Sequence, residues 1–263
     1  MNRLLSNAIW DIVCLIGIFI LWQAASIAIG IEAFPTATQA LVEVPKLLTS
    51  ASDLADMWAS LRRMLTGFVA ACVIGIPIGL IMGRSQVVAD VLNPVLMLIY
   101  PVPKAALTPL LMLWVGTGDF SKILVIVLGA SVPLIYHSYQ GGRDVAKNLI
   151  WSARAMGMSP PARLFRIVLP AAMPEILSGM RVGITMSLIV MVSSEIIGRQ
   201  AGVGNILFNS LDMAIYPPVY GMIIIIGMIG FAVDLLFQQF QRSVVPWALP
   251  RKTGDDDATF MWS

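Results

Sequence analysis

Long apolar stretches separated by short polar segments run along most of the chain. The stretches from Leu65 to Gly83 and from Met213 to Val233 contain no charged residue. A helix that spans a bilayer needs about 20 predominantly apolar residues. The pattern therefore predicts about six transmembrane helices, at residues 10–30, 63–83, 94–115, 121–140, 181–198 and 213–234.

The third apolar stretch differs from the others because polar and helix-breaking residues interrupt it. Between Asn93 and Trp114 it contains Pro94, Pro101, Pro103, Lys104 and Pro109. Proline removes a backbone donor and clashes with the preceding helical turn, so an uninterrupted helix is not expected. Irregular backbone at membrane depth persists only where it is buried in protein or lines a water-filled cavity.

Glycines recur at helical spacing in the second predicted span. Gly67, Gly75, Gly79 and Gly83 are four or eight residues apart and share one helical face. Small residues on one face allow a second helix to approach closely. The sequence thus predicts a tightly packed helix pair involving this span.

Composition strengthens the membrane prediction. Of the 263 residues, 58% are hydrophobic and 12% are Asp, Glu, Lys or Arg, whereas about 25% are charged in an average soluble domain. Too little charge is available to cover a soluble fold, and too much apolar surface is present for a disordered chain. We expect an all-α polytopic membrane protein with a single domain over residues 1–263.

The position of the positive charges predicts the orientation. With six spans and both termini cytoplasmic, five basic residues lie outside, Lys104 lies within the third span, and eleven lie inside. Basic residues favour the cytoplasmic side, so this orientation is preferred and the protein is expected in a bacterial inner membrane. The eleven predicted inside are Arg3, Arg84, Arg143, Lys147, Arg154, Arg163, Arg166, Arg181, Arg242, Arg251 and Lys252.

Few residues suggest bound cofactors or catalysis. One histidine, His137, and two cysteines within apolar stretches, Cys14 and Cys72, give no pattern for a metal site. A phosphate-binding loop of the form GxxxxGK[ST] is absent, and Gly116–Lys122 has the wrong spacing. The chain is therefore expected to bind no cofactor and to be no ATPase.

The longest polar segment, residues 144–178, combines basic residues with a distinctive turn. Ser159, Pro160 and Pro161 force a turn between two helix-compatible stretches. The pair Leu169–Pro170 is expected to end the second of these helices. Two short cytoplasmic helices at an angle are predicted, with too little apolar surface to form a domain of their own.

Within this segment the sequence resembles the membrane subunit of bacterial binding-protein-dependent ABC importers. The signature of that family is Glu-Ala-Ala, three residues, Gly, nine residues, Ile, one residue and Leu-Pro. Gly157, Ile167 and the pair Leu169–Pro170 match it in register, as does Ala153. Two positions depart from it, since Ser152 replaces the first alanine and Trp151 stands in place of the usual glutamate. Residues 59–85, 100–126 and 193–210 are most similar to the nitrate, sulfonate, taurine and bicarbonate subgroup.

The resemblance implies the fold and the partners. It implies a type I importer permease with a cytoplasmic coupling helix, paired with a second permease copy and two ATPase subunits that carry ATP and Mg²⁺. A solute-binding protein outside the membrane would deliver a small anionic solute. The residues implied in ATPase coupling are Trp151, Ser152, Ala153, Gly157, Leu164, Phe165, Ile167, Leu169 and Pro170. Leu164, Phe165 and Ile167 either anchor the ATPase or pack the segment onto its own membrane helices.

Glu195, with Ser193 and Ser194 beside it, is the candidate for a solute path, because acids within spans are often functional. Alternatively, Glu195 pairs with an arginine such as Arg199 or stabilises the helix end.

Two other functions of the whole protein stay open. A self-sufficient secondary transporter usually shows internal repeats, and an intramembrane enzyme needs clustered His, Asp, Ser or Cys residues; neither pattern is evident.

Overall fold

The computed structural model describes residues 2–248, and within that range every regular element is helical. Short 3₁₀ turns occupy Lys104–Leu107 and Pro246–Ala248, and a π-helical turn occupies Leu164–Val168. The α-helices are α1 (Asn2–Ile29), α2 (Ala37–Thr49), α3 (Ala51–Arg84), α4 (Gln86–Ile99), α5 (Thr108–Val115), α6 (Asp119–Arg143), α7 (Lys147–Ala155), α8 (Pro160–Arg163), α9 (Leu169–Gly198), α10 (Val203–Asp212) and α11 (Tyr216–Val244).

In the described part of the chain, four helical stretches are long and apolar enough to cross a membrane: α3, α6, α11 and the continuous stretch Pro160–Gly198. The pair formed by α4 and Lys104–Val115 would count as a fifth span, bent by 83°. This bend confirms the interruption that the prolines of the third stretch predicted. In α1 the apolar part with described side chains, Val13–Ile29, is shorter than these spans.

Helices α3, α6 and α9 form the centre of the bundle, and the glycine face of α3 packs against α6. A Cβ atom added at Gly67 would lie 2.6 Å from Cγ2 of Ile126, and one at Gly83 would lie 2.7 Å from the carbonyl oxygen of Tyr139. At Gly79 an added Cβ would collide with the carbonyl oxygen of Ile135. The predicted close helix pair is thus confirmed, with α6 as the partner of α3.

The polar segment is shorter than expected, because Pro170 does not end a helix. The N–H of Leu169 donates to the carbonyl of Leu164 in the π-helical turn, and α9 continues directly from Leu169. Pro170 lies in the first turn of α9, where a backbone donor is not needed, so the prediction of a break was wrong. Consequently residues 169–178 belong to α9, and the loop with its short helices covers 144–168.

Candidate functional site

Residues 147–168 form a helix–turn–helix element made of α7, α8 and the π-helical turn. The turn depends on Gly157, which has a φ of +75° and whose N–H donates to the carbonyl of Arg154 at 2.9 Å. An added Cβ at Gly157 would meet no atom within 4 Å. Glycine is therefore required here by its left-handed backbone and not by close packing.

One face of the helix–turn–helix element is fixed to the membrane helices. Ile150 and Val168 are buried in a cluster with Leu80 of α3 and with Ala172 and Ile176 of α9. Leu164, Ile167 and Leu169 are among the apolar side chains that pack against this cluster. Ala153 is fully buried. Because both α7 and the π-helical turn contact this cluster, the element is anchored to α3 and α9 as one body.

The opposite face exposes large apolar side chains. Trp151 is 61% exposed, Met156 72% and Phe165 66%. Ser152, Gly157 and Pro170 are exposed as well. Exposed aromatic residues on a polar segment are typical of a protein-binding surface. Of the three residues for which sequence left two roles open, Leu164 and Ile167 pack inward and Phe165 points outward.

Basic side chains line a cavity between the helix–turn–helix element and α3, a feature that the motif does not include. Arg84, Arg154 and Arg163 line this cavity together with Pro160 and Pro161. Among the side chains that the structure describes, those of residues 10 and 13–247, no carboxylate lies within ion-pair distance of Arg154 or Arg163. The cavity is therefore positively charged.

At the other end of α9, Glu195 is fully buried and its carboxylate is bound from several sides. Arg63 Nη1 donates to Glu195 Oε1 at 2.7 Å, and Ser60 Oγ donates to Oε2 at 2.6 Å. The backbone N–H of Gly204 also donates to Oε2, at 3.3 Å. A buried carboxylate persists only with such partners.

Arg63 connects Glu195 to α6 and to the loop that follows α9. Its Nε donates to Asp119 Oδ1 at 2.7 Å, and its Nη1 donates to the carbonyl of Ala201 at 2.7 Å. Lys122, also fully buried, has its Nζ 3.5 Å from the same carbonyl. We call Ser60, Arg63, Asp119, Lys122 and Glu195 the Arg63 cluster.

The structure corrects the expected arginine partner of Glu195. Arg199 instead places its guanidinium carbon 3.7 Å from the ring centroid of Phe208. The hydroxyls of Ser193 and Ser194 donate to carbonyls of α9 itself, those of Ile189 and Met191. Sequence inspection missed Arg63 as a partner, although a charged pair, Arg62–Arg63, at the edge of an apolar stretch was a visible signal.

The family model described as binding-protein-dependent transport system inner membrane component matches residues 75–246. The taurine transport system permease protein TauC of Escherichia coli is 33% identical, with 86% of this chain and 84% of that protein covered. The putative aliphatic sulfonates transport permease protein SsuC of Bacillus subtilis is 28% identical, covering 91% of this chain and 83% of that protein.

Among solved structures, an inward-facing MetNI methionine ABC transporter is similar with a TM-score of 0.63. The similarity covers 71% of this chain and 93% of that one at 17% sequence identity, so it concerns the fold alone.

Proposed function

Since the chain belongs to the family of binding-protein-dependent transport system inner membrane components, we propose that it forms the solute path of an ATP-driven importer for a small anionic solute. A permease of this family is not an enzyme, because a partner ATPase hydrolyses the ATP. The proposed assembly contains two copies of this chain, two ATPase subunits that bind ATP and Mg²⁺, and a solute-binding protein outside the membrane.

The helix–turn–helix element is the proposed ATPase contact, and the single observation that carries this is its two-faced surface. Leu164 and Ile167 attach it to the bundle, while Trp151, Met156 and Phe165 are left exposed. Apolar and aromatic side chains exposed in this way supply much of the free energy of protein association. In the orientation favoured by the positive charges this face is cytoplasmic, where an ATPase would be found.

The continuous helix from Pro160 to Gly198 gives a physical route for coupling. Nucleotide-driven closure of the ATPase pair would displace the element, and α9 would carry that displacement to the Arg63 cluster at its other end. A nucleotide can shift such an equilibrium only by its differential affinity for the two states. In this account the Arg63 cluster holds α3, α6 and α9 together in one of those states.

An anionic solute is supported by the permeases to which the chain is similar. The two reported relatives are named for transport of taurine and of aliphatic sulfonates, which share a sulfonate group.

The test compares two neighbouring substitutions in the full complex. Phe165→Ala removes an exposed ring, so it should reduce the amount of co-purified ATPase at least fivefold without lowering the melting temperature of the permease. Leu164→Ala removes a packed side chain, so it should lower the melting temperature. Unchanged ATPase recovery with Phe165→Ala and with Trp151→Ala would overturn the proposed contact.

A further inference from the structure

Two adjoining cavities form one groove along α6, between α4 and α9. Both are lined by Tyr100, Val132, Pro133 and Val182. One extends to Asn93, Leu96, Met97, Tyr136, His137 and Tyr139. The other extends to Val102, Lys104, Gly129, Met186 and Val190. The groove thus connects the bend after α4 with the half of α6 that leads to the helix–turn–helix element.

Lys104 lies at this bend and is half-buried. Lys104 lines the same cavity as Gly129 of α6. Gly129 is ten residues after Asp119, the first residue of α6, so at a rise of about 1.5 Å per residue it lies about 15 Å along the helix from the end that bears the Arg63 cluster. Lys104 Nζ donates to the carbonyls of Ile99 and Tyr100, at 2.6 Å and 2.8 Å. These carbonyls are at the C-terminal end of α4, where the 83° bend interrupts the helix, and that of Ile99 also accepts from the N–H of Val102 at 3.1 Å.

The charge of Lys104 has no counter-ion in the described part of the chain. Among the residues whose side chains the structure describes, 10 and 13–247, no ion pair includes Lys104, and its two acceptors are neutral carbonyl oxygens. An ammonium group has three donors, so one is left for a ligand. A cation within a span that lacks an acidic partner marks an ion or substrate path.

The rest of the groove suits a small anion that bears an apolar or polar tail. No Asp or Glu is among the residues that line either cavity. Its polar groups are the phenols of Tyr100, Tyr136 and Tyr139 with Asn93 and His137, and its remaining walls are apolar. His137 Nδ1 lies 2.7 Å from Glu175 Oε1, which fixes that ring.

We propose that Lys104 is the anion-binding residue of the translocation path, holding the sulfonate or carboxylate group of the solute in the groove between α4, α6 and α9. The proposal rests on the importer function proposed above and adds the residue and the chemical class that it selects. The bend supplies two acceptors for this lysine, since carbonyl oxygens at the C-terminal end of α4 bind two of its donors.

The test measures anion preference with chemical probes that need neither ATPase nor natural solute. The full chain, with Cys14→Ala, Cys72→Ala and Val182→Cys, is purified in lipid nanodiscs. Its thiol is then reacted with the anionic reagent methanethiosulfonate ethylsulfonate and with the cationic trimethylammonium analogue. Val182 is suitable because it lines both cavities. The reaction rate of each reagent with the protein thiol is divided by the rate of the same reagent with free mercaptoethanol.

We expect the anionic reagent to react at least tenfold faster than the cationic one after this correction. Lys104→Gln keeps a donor for the carbonyls and removes the charge, so it should reduce the ratio at least fivefold, whereas Lys104→Arg should retain it. As a control, Ser52→Cys, exposed and far from the groove in sequence, should show a ratio that Lys104→Gln does not change.

Three outcomes would overturn the proposal: a ratio at Val182→Cys that Lys104→Gln leaves unchanged, a faster cationic reagent, or no reaction with either. Failure of the importer function itself would be seen separately, as loss of ATPase co-purification in a protein whose groove still prefers anions.

Discussion

The guanidinium of Arg63 and the carboxylate of Glu195 lie 2.7 Å apart in the protein interior, although 132 residues separate them in the sequence. Their contact joins α3 to α9 at the end of α9 opposite the helix–turn–helix element. Asp119 of α6 binds the same guanidinium, so three central helices meet at one side chain. Any motion that separates these helices must break or rearrange this contact.

Removing the Glu195 carboxylate should destabilise the protein strongly. Glu195→Ala leaves the buried Arg63 with one fewer counter-charge, and losing one partner of a buried pair costs about 3–5 kcal/mol. The measurement is the free energy of unfolding of the purified permease in detergent. Glu43→Ala is the control, since its partner Lys46 is 62% exposed and such pairs contribute about 0–1 kcal/mol. Equal effects at both positions would contradict the structural role of Glu195.

The α3–α6 contact should tolerate no added methyl group at Gly79. Gly79→Ala would force its Cβ against the backbone of α6, and overpacking of this kind costs about 1–3 kcal/mol. Gly227→Ala in α11 meets no atom within 4 Å, so it should be neutral or stabilise the helix slightly. Thermal unfolding of the two variants provides the comparison, and a Gly79→Ala protein as stable as Gly227→Ala would refute the close approach.

Two buried serines should respond oppositely to loss of the hydroxyl. Ser60 Oγ donates to Glu195 and accepts from the N–H of Val203, so Ser60→Ala leaves both groups short of a partner and should cost about 1–3 kcal/mol. Ser138 Oγ is buried and has no hydrogen-bond partner among the side chains and backbone that the structure describes, so Ser138→Ala should be neutral or stabilising. Denaturant unfolding should rank Ser138→Ala above Ser60→Ala; the reverse order would be inconsistent with this network.

The turn at Gly157 should depend on whether the replacing residue tolerates a left-handed backbone, and not on the volume of its side chain. Gly157→Val places a branched residue at a φ of +75°, at a cost of about 1–2 kcal/mol, whereas asparagine tolerates this region better. We expect Gly157→Val to distort the helix–turn–helix element and to uncouple ATP hydrolysis from uptake, while Gly157→Asn keeps most of the coupling. Coupling is measured as solute transported per ATP hydrolysed in proteoliposomes. Equal coupling in both variants would show that backbone conformation at this turn is unimportant.

Local signals in the sequence predicted several of these features. The glycine spacing indicated the close face of α3, the clustered prolines indicated the bent span, and the run Ser159–Pro161 indicated a turn, because each depends on backbone geometry near the residue itself. The partner of Glu195 could not be obtained in this way, since Arg63 is distant in sequence and only the packing of α3 against α9 brings them together. Likewise, helix periodicity did not separate Phe165 from Leu164, whose directions depend on the π-helical turn.

The most direct test is solute uptake by the purified permease in proteoliposomes with its proposed partners, an ATPase and a solute-binding protein. Taurine, ethanesulfonate, nitrate and bicarbonate are offered as radiolabelled or isotopically labelled solutes. We expect uptake of at least one of these anions that requires hydrolysable ATP and both partners, and that falls with Phe165→Ala. Uptake by the permease alone, driven by an ion gradient and indifferent to ATP, would contradict the proposed function.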